Sequence, residues 1–376
     1  MYVATLTHAV VTHLAALFRE MQSTTHAAVT PEKRLAYLAL VPLAWEEAYR
    51  ASGASPDTLL NQIGSQQDVS ECLDNMIFQL EAALAAHTDR AWAAAQAHTV
   101  RALFFGHTAQ TLRTADHAAT QKDETFQTIP VTLLPEARSI YDALDTFFDD
   151  DEVVGEHGQP VRRAITLRDA PPLLQLQVQR VQYDRRQHRA VKNQAALALE
   201  PVVYLDQYMD VGAAPTPDAA ARADATRADR QRMAALRTRL AQLTGDDAAL
   251  PTQLTTLAET FAHVQGASPS LAALLAPERT AQLTHAADAL RAEADDVRRE
   301  LHATREQLHA RWAGAEHVAY ELAAVFMHRG EASHGHYFLD QRDTAHQDAW
   351  IMLNDTRVHP IPLAEVQQEY VLPASH

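Results

Sequence analysis

His336 stands in "GHYFLDQR", between Gly335 and Tyr337, at the head of a segment that reads as a strand. The next strand-like segment, "DAWIMLND", ends on Asn354 and Asp355. A histidine beside a carboxamide or carboxylate can act as a general base, because the second group fixes which ring nitrogen carries the proton and steadies the imidazolium. Antiparallel pairing of the two segments would bring Asn354 or Asp355 to the imidazole. The same placement suits a structural histidine, and spacing alone leaves both readings open. The chain holds 20 histidines, and most of them, such as His87, His98, His302 and His309, lie in polar helical stretches where a surface position is expected.

The only cysteine, Cys72, falls in "SQQDVSECLDNM". Asp68 can cap a helix there, with Glu71 three positions on in the capping-box place. Leu73, Met76 and Ile77 around Cys72 predict a packed, inert thiol rather than a nucleophile. One cysteine excludes an internal disulfide and any CxxC metal knuckle. His107 and His117, in "GHTAQTLRTADH", have no thiol partners, so neither a structural zinc nor any other cofactor is expected.

The 376 residues, 47% of them hydrophobic, can bury a sizeable core. With 48 acidic against 32 basic residues the formal charge is −16, which argues against a nucleic-acid binder, since phosphate contact needs a basic face. It fits a basic protein partner, or plain solubility. No apolar run reaches membrane-spanning length and the N-terminus has no basic leader, so a cytosolic or nuclear protein without membrane contact is expected.

The elements that must hold these residues fall into four regions. Residues 1–100 read as helical, from "VTHLAALFREM" and "LDNMIFQLEAALAAH". Residues 101–212 are mixed: "VRRAITLRD" and "PPLLQLQVQRVQYD" read as strands, the latter alternating Leu174, Leu176 and Val178 with Gln175, Gln177 and Gln179, while "SIYDALDTFFDDD" reads as a short helix running into an acidic turn. Residues 213–315 are a helical block. Met233, Leu236, Leu240 and Leu243 mark one helix and Leu290, Val297, Leu301, Leu308 and Trp312 another, at the narrow-seam spacing of an antiparallel hairpin or short coiled coil. "GASPSLAALLAPERTAQL" reads as a loop and a shorter helix between them, and the charges of the block as a solvated face. Residues 316–376 return to strands, with "LAAVFMH", "GHYFLDQR" and "DAWIMLND" as an antiparallel meander. A β region divided by a helical block predicts one α+β unit with an insertion whose ends lie close together.

Five blocks, "QQDVSECLDNMIFQL", "SIYDALDTFF", "APPLLQLQVQRVQYD", "HRGEASHGHYFL" and "WIMLNDTRV", occur in the order and approximate spacing of the catalytic domain of ubiquitin-specific proteases. The chain resembles most the fungal members with a long helical insertion ahead of the histidine box. The resemblance implies a papain-like cysteine protease fold: a helical thumb, antiparallel β palm and fingers, and an inserted helical hairpin. It implies that His336, in the family's G-H-Y box, deprotonates a cysteine and later protonates the leaving amine, that Asn354 is the third catalytic position, and that Asp355 is a backup orienter. Gln66, Gln67 and Asp68 match the family's Q-Q-D block near the channel for the ubiquitin C-terminal tail, and Tyr337 would wall that channel.

Relative to this pattern both ends look incomplete. The family's G-N-T-C-Y box, which carries the nucleophile, has no counterpart, and the chain stops before the family's closing strand; the CxxC zinc pairs of the fingers are also absent. Two functions follow as expectations. One is a deubiquitinase acting on ubiquitin and ubiquitinated proteins, with its nucleophile not among these residues. The other is a non-catalytic ubiquitin-binding or scaffold protein of the same fold, whose insertion pairs with a helical partner or a second copy.

Overall fold

The structure, a computed structural model, describes the chain apart from residues 1, 27–28, 41–67, 88, 115–118, 135–138, 149–150, 156–157, 185–187, 213–215, 245–248, 268–276, 332–334, 344–345, 347–348 and 370–376. It begins with helices α1 (Tyr2–Ser23), α2 (Lys33–Leu40), α3 (Val69–Ala85) and α4 (Arg90–Phe104). Val10, Leu14, Leu35 and Leu38 make a small core with Met76 and Leu80 of α3, each buried aliphatic chain contributing roughly 1.5–3 kcal/mol. α3 starts where Asp68, in extended conformation, accepts a hydrogen bond from the Ser70 amide at 2.7 Å, satisfying one of the amides that a helix start leaves open. Two polar side chains on its inner face serve α2: Asn75 donates to the Ala39 carbonyl at 2.8 Å and the buried Gln79 to that of Leu38 at 2.5 Å. These carbonyls lie in the last turn of α2, where no amide within the helix can reach them.

Next come β1 (Gly106–Arg113), β2 (Thr120–Phe126), β3 (Thr128–Thr132), α5 (Ile140–Phe148), β4 (Asp151–Val154), β5 (Pro160–Asp169), β6 (Gln175–Gln179), β7 (Val181–Asp184), β8 (Arg189–Lys192) and β9 (Val202–Tyr204). An antiparallel sheet has the order β2-β1-β5-β4, β7 pairs with β8, and β3 pairs in parallel with β6. The hairpin of β1 and β2 has no counterpart in the sequence reading, because "TQKDETF" is exposed along most of its length and shows no period-2 alternation. The single strand expected over "LQLQVQRVQYD" is two, divided at Arg180, whose amide turns back to the Val178 carbonyl while its guanidinium donates to the carbonyls of Asn193 and Ala195. Nor does β6 have one wet face: Gln175 to Val178 are all half-buried. The helix at Ile140 forms as expected; of the acidic turn after it, Asp149 and Asp150 lie outside the described residues and Asp151 opens β4.

The helical block holds α6 (Pro217–Thr244), α7 (Leu250–Ala267) and α8 (Pro277–Trp312). α6 and α8 run antiparallel along the expected seam, Met233 against Leu301 and Leu308, Leu240 and Leu243 against Ala294 and Val297. Among the described residues the block nevertheless holds three helices rather than a hairpin of two. α7 lies along α8, with Arg291 donating to the Thr255 hydroxyl at 2.8 Å, and its threonines and alanines dilute the apolar spacing that marks the other two. "PERTAQL" belongs to α8, and the preceding "SPSLAALLA", residues 268–276, where a loop and a shorter helix are expected, lies outside the described residues. The expectation of a fully solvated charge face also fails. Arg230 and Arg237 of α6 reach the Asp145 carboxylate, each at 3.8 Å, and Arg305 of α8 reaches Asp142 at 2.5 Å, all with side chains largely withdrawn from water.

The chain leaves and re-enters the β region through one antiparallel pair, β9 with β10 (Ala319–Glu321), Tyr204 opposite Ala319. β11 (Ala324–Gly330), β12 (Gly335–Arg342), β13 (Trp350–Asn354) and β14 (Arg357–Ile361) then form an antiparallel sheet in chain order, followed by α9 (Leu363–Glu369). The main core lies between α5 and these strands: Ile140, Leu144 and Phe148 pack with Ile129 and Val131 of β3 and with Val325, Phe338, Trp350 and Met352. The whole is an α+β protein. Among the described residues no helix is long and apolar enough to cross a membrane.

Candidate active site

β12 and β13 pair with Asp340 opposite Met352. The same register carried two residues past that pair would set Phe338 opposite Asn354, and His336 one diagonal step from Asn354, within reach of a long side chain. Alternation sets Phe338, Trp350 and Met352 on the buried face, so His336 and Asn354 share that face at its open end. His336 Nε2 lies 2.6 Å from Asn354 Oδ1. A carboxamide oxygen only accepts, so Nε2 carries the proton and donates it, and Nδ1 is left as the basic nitrogen. The imidazole is about half-exposed, open to an incoming group. Asp355 Oδ2 is 3.8 Å from the same nitrogen, too far for a hydrogen bond, because the backbone has turned at Asp355 to φ 53° and carries the carboxylate into solvent.

A groove of about 1370 Å³ runs between the start of α3 and the strands β6, β11 and β12. Asp68, Ser70 and Leu73 form one wall; Gln177 and Val178, with His328 and Tyr337, stand on the other side. The lining ends at Tyr337 and Phe338, so the groove opens beside the His336 and Asn354 pair without including it. Asp68 and Tyr337 therefore sit on one groove, and the Asp68 carboxylate adds to the burial that pushes the Tyr337 phenol above its ordinary range. Gln66 and Gln67 lie outside the described residues. Across the groove Gln177 donates to the Ser70 hydroxyl at 2.9 Å, tying the start of α3 to β6.

Cys72 is half-buried within α3, and burial pushes its thiol up, away from the thiolate a nucleophile needs. His107 Nδ1 lies 2.8 Å from the Asp169 carboxylate, and His117 is outside the described residues. Among the described residues no three His, Cys, Asp or Glu side chains come together as metal ligands.

Comparison with known proteins gives the family. The family model described as ubiquitin carboxyl-terminal hydrolase matches residues 3–372. The chain belongs to that family. Among curated ubiquitin carboxyl-terminal hydrolases, ubiquitin carboxyl-terminal hydrolase 2 of Saccharomyces cerevisiae is 28% identical over 332 residues, covering 86% of this chain and 25% of the yeast protein. The probable ubiquitin carboxyl-terminal hydrolase 2 of Schizosaccharomyces pombe is 34% identical over 151 residues, 39% of this chain and 13% of that protein. The chain thus spans a quarter or less of the length of these hydrolases.

Several residues that line the groove carry no sequence signal. Lys192 and His328 both line it, in contact with each other, although they are far apart in the chain. Ser70 and Gln177 meet although 107 positions separate them. Lys192 was visible as one of just three lysines, with Lys33 and Lys122, but nothing local marks it out.

Proposed function

We propose that this chain is the catalytic part of a deubiquitinase: thiol-dependent hydrolysis of the isopeptide or ester bond after the ubiquitin C-terminus. The observation that carries the reading is the 2.6 Å contact of His336 Nε2 with Asn354 Oδ1 in a chain matched by the family over residues 3–372. His336 Nδ1 takes the proton of a cysteine thiol, and the sulfur attacks the carbonyl carbon of the ubiquitin C-terminus. The imidazolium, steadied by Asn354, then gives its proton to the leaving amine. The acyl-enzyme formed is hydrolysed by water activated at the same nitrogen, which regenerates the thiol and releases the ubiquitin carboxylate. Asn354 is the orienting group, and Asp355, exposed and beyond hydrogen-bond distance, adds a weak electrostatic contribution. In this reading α1 to α4 form a thumb and the strands a palm and fingers, as in papain-like proteases. The groove between α3 and β6 receives the extended ubiquitin tail, with Asp68 and Tyr337 lining it.

Cys72 does not fit the part of the nucleophile, since its thiol is raised by burial inside α3. The thiol is proposed to come from a G-N-T-C-Y type segment joined to this chain. The test is hydrolysis of a fluorogenic ubiquitin C-terminal amide by the chain alone and by the chain carrying such a segment. Turnover is expected only with the segment. His336→Ala should abolish it, and Asn354→Ala should lower kcat by about 10²-fold or more, the scale on which general acid–base catalysis contributes. Absence of turnover with the segment in place would overturn the catalytic reading. The same Cys72 observation favours a second reading, a ubiquitin-binding protein without catalysis. Saturable binding of labelled ubiquitin without turnover in either form would support it. The insertion's outer faces are proposed for a helical partner, and a cytoplasmic or nuclear location accords with the single cysteine.

A further inference from the structure

β12 pairs with β13 only from Leu339 to Arg342. The stretch that carries His336 has one ladder partner, β11, with Gly330 opposite Gly335, Arg329 opposite His336 and His328 opposite Tyr337. A two-stranded ribbon is marginal by itself, and among the described residues β11 is the edge of its sheet, with outward carbonyls that no strand pairs. Lys192, at the end of β8, meets that edge. Its ammonium donates to the carbonyl of His328 at 2.6 Å and to that of Gly330 at 3.0 Å, and lies 3.1 Å from His328 Nδ1. Three N–H donors on one atom converge on three acceptors, an arrangement a planar guanidinium cannot reproduce.

The third acceptor requires a neutral imidazole with its proton on Nε2. Burial, with the Lys192 charge adding to it, holds His328 below the ordinary histidine range, which favours the neutral ring that can accept at Nδ1. The far edge of the same ring lies on the residue before His336. A Cβ at Gly335 would meet His328 Nε2 at 2.3 Å and Cε1 at 2.9 Å, and the Arg329 carbonyl at 2.5 Å, so only glycine fits. The other neighbour of His336 is in contact as well, Tyr337 lying with its ring centroid 4.7 Å from that of His328. The imidazole of His328 is thus gripped by Lys192 at one nitrogen and touches both residues flanking His336.

We infer that Lys192 is a positioning residue for the catalytic base: its ammonium locks the edge carbonyls of β11 and the His328 ring, and through them sets the head of β12 so that His336 Nε2 meets Asn354. The inference rests on the reading of His336 as that base, but the clamp itself is a statement about geometry that can be read without turnover.

The test is nitrogen-15 NMR of the full chain, with Lys192→Met and Lys192→Arg beside it. With three lysines in the sequence, the Lys192 ammonium is assigned by its loss in either variant, and the His336 ring by its loss in His336→Asn. The unmodified chain should show one slowly exchanging lysine Nζ signal and a His336 ring in the single Nε2–H tautomer. Both variants should unfold cooperatively, yet lose the single tautomer, and Lys192→Arg should not rescue it, although a merely structural cation would. In turnover-competent protein the same variants should lower kcat by about 10²-fold, the cost of misplacing a reacting group by about 1 Å, with KM within about twofold. No protected lysine signal in the unmodified chain, or His336 resonances unmoved in the variants that fold, overturns the inference. If Lys192→Met does not fold, Lys192→Arg and the unmodified chain decide. If no form hydrolyses ubiquitin amide but the NMR outcomes are as expected, the clamp stands and the catalytic reading alone falls.

Discussion

Asn354 reaches the His336 ring and Asp355 does not, although they are neighbours, because a strand alternates faces and the turn into β14 begins at Asp355, whose φ of 53° an aspartate tolerates. The sequence narrowed the partner of His336 to these two, since the spacing of "GHYFL" and "WIMLND" follows from strand period. Choosing between them needed the register, which is set by which faces bury Phe338, Trp350 and Met352. Glu200 shows the opposite case, a residue that no pattern marks. Its carboxylate accepts from the Ile140 amide at 3.2 Å at the start of α5. Burial lifts its pKa above the ordinary glutamate value of 4.5, the Asp142 carboxylate adding to the rise. The folded state therefore holds the Glu200 proton to higher pH than the unfolded chain, so this contribution to stability is full below the unfolded pKa and is lost as pH rises through the folded one. Glu200→Gln, neutral throughout, is expected to exceed the wild type in stability at pH 7, with the difference closing below about pH 4, the ordinary range of the free carboxyl. Urea midpoints of the two proteins across that interval measure it, and a constant difference at every pH would contradict the expectation.

At the scale of elements, α5 is where the helical block meets the main core. Its apolar side, Ile140, Leu144 and Phe148, faces β3, while Asp142 and Asp145 on the other side are almost completely buried beneath α6 and α8. Asp145 meets Arg230 and Arg237 and accepts from the Tyr208 hydroxyl at 3.0 Å. Arg230 also lies over the Tyr208 ring at 4.5 Å and donates to the Gln207 carbonyl. His309, expected at the surface, packs instead edge-on against Tyr141 of α5. Removing one partner of a buried ion pair strands the other, at about 3–5 kcal/mol. Asp145→Ala should therefore cost an amount of that order by chemical denaturation. Arg232→Ala, which breaks an exposed pair with Glu300, should cost at most about 1 kcal/mol. Equal losses in the two variants would show that burial of the Asp145 pairs carries no special weight. The helices were legible because Met233, Leu240, Leu301 and Leu308 keep a seam. The ion pairs were not, because arginines in "RADRQRMAALR" read as a wet face until α5 is set against them.

At the scale of the molecule, one pair of short strands, β9 and β10, closes the β region across the block from residue 213 to 315. The strands that flank the block are paired with each other, so replacing it by a short Gly-Ser linker is expected to leave the strand order intact. It also uncovers Tyr208 and removes the arginines held by Asp142 and Asp145. The shortened protein is expected to fold with a Tm lower by on the order of 10 °C, at roughly 2–4 °C per kcal/mol lost; an unchanged thermal midpoint by circular dichroism would mean that the block stands on the core without supporting it. The sequence by itself determined the α+β class, the capped start of α3 at Asp68, the α6 and α8 seam and the resemblance that set His336 beside Asn354 and Asp355, because these rest on near-neighbour periodicity and ordered motifs. Only the tertiary structure decided that the acceptor is Asn354, that Lys192 meets His328 and the β11 edge, and that Asp142 and Asp145 receive arginines from the inserted helices. Those contacts join residues from 85 to 163 positions apart, save the first. They depend on three-dimensional registers and crossings that burial of the whole core selects and that no local spacing encodes.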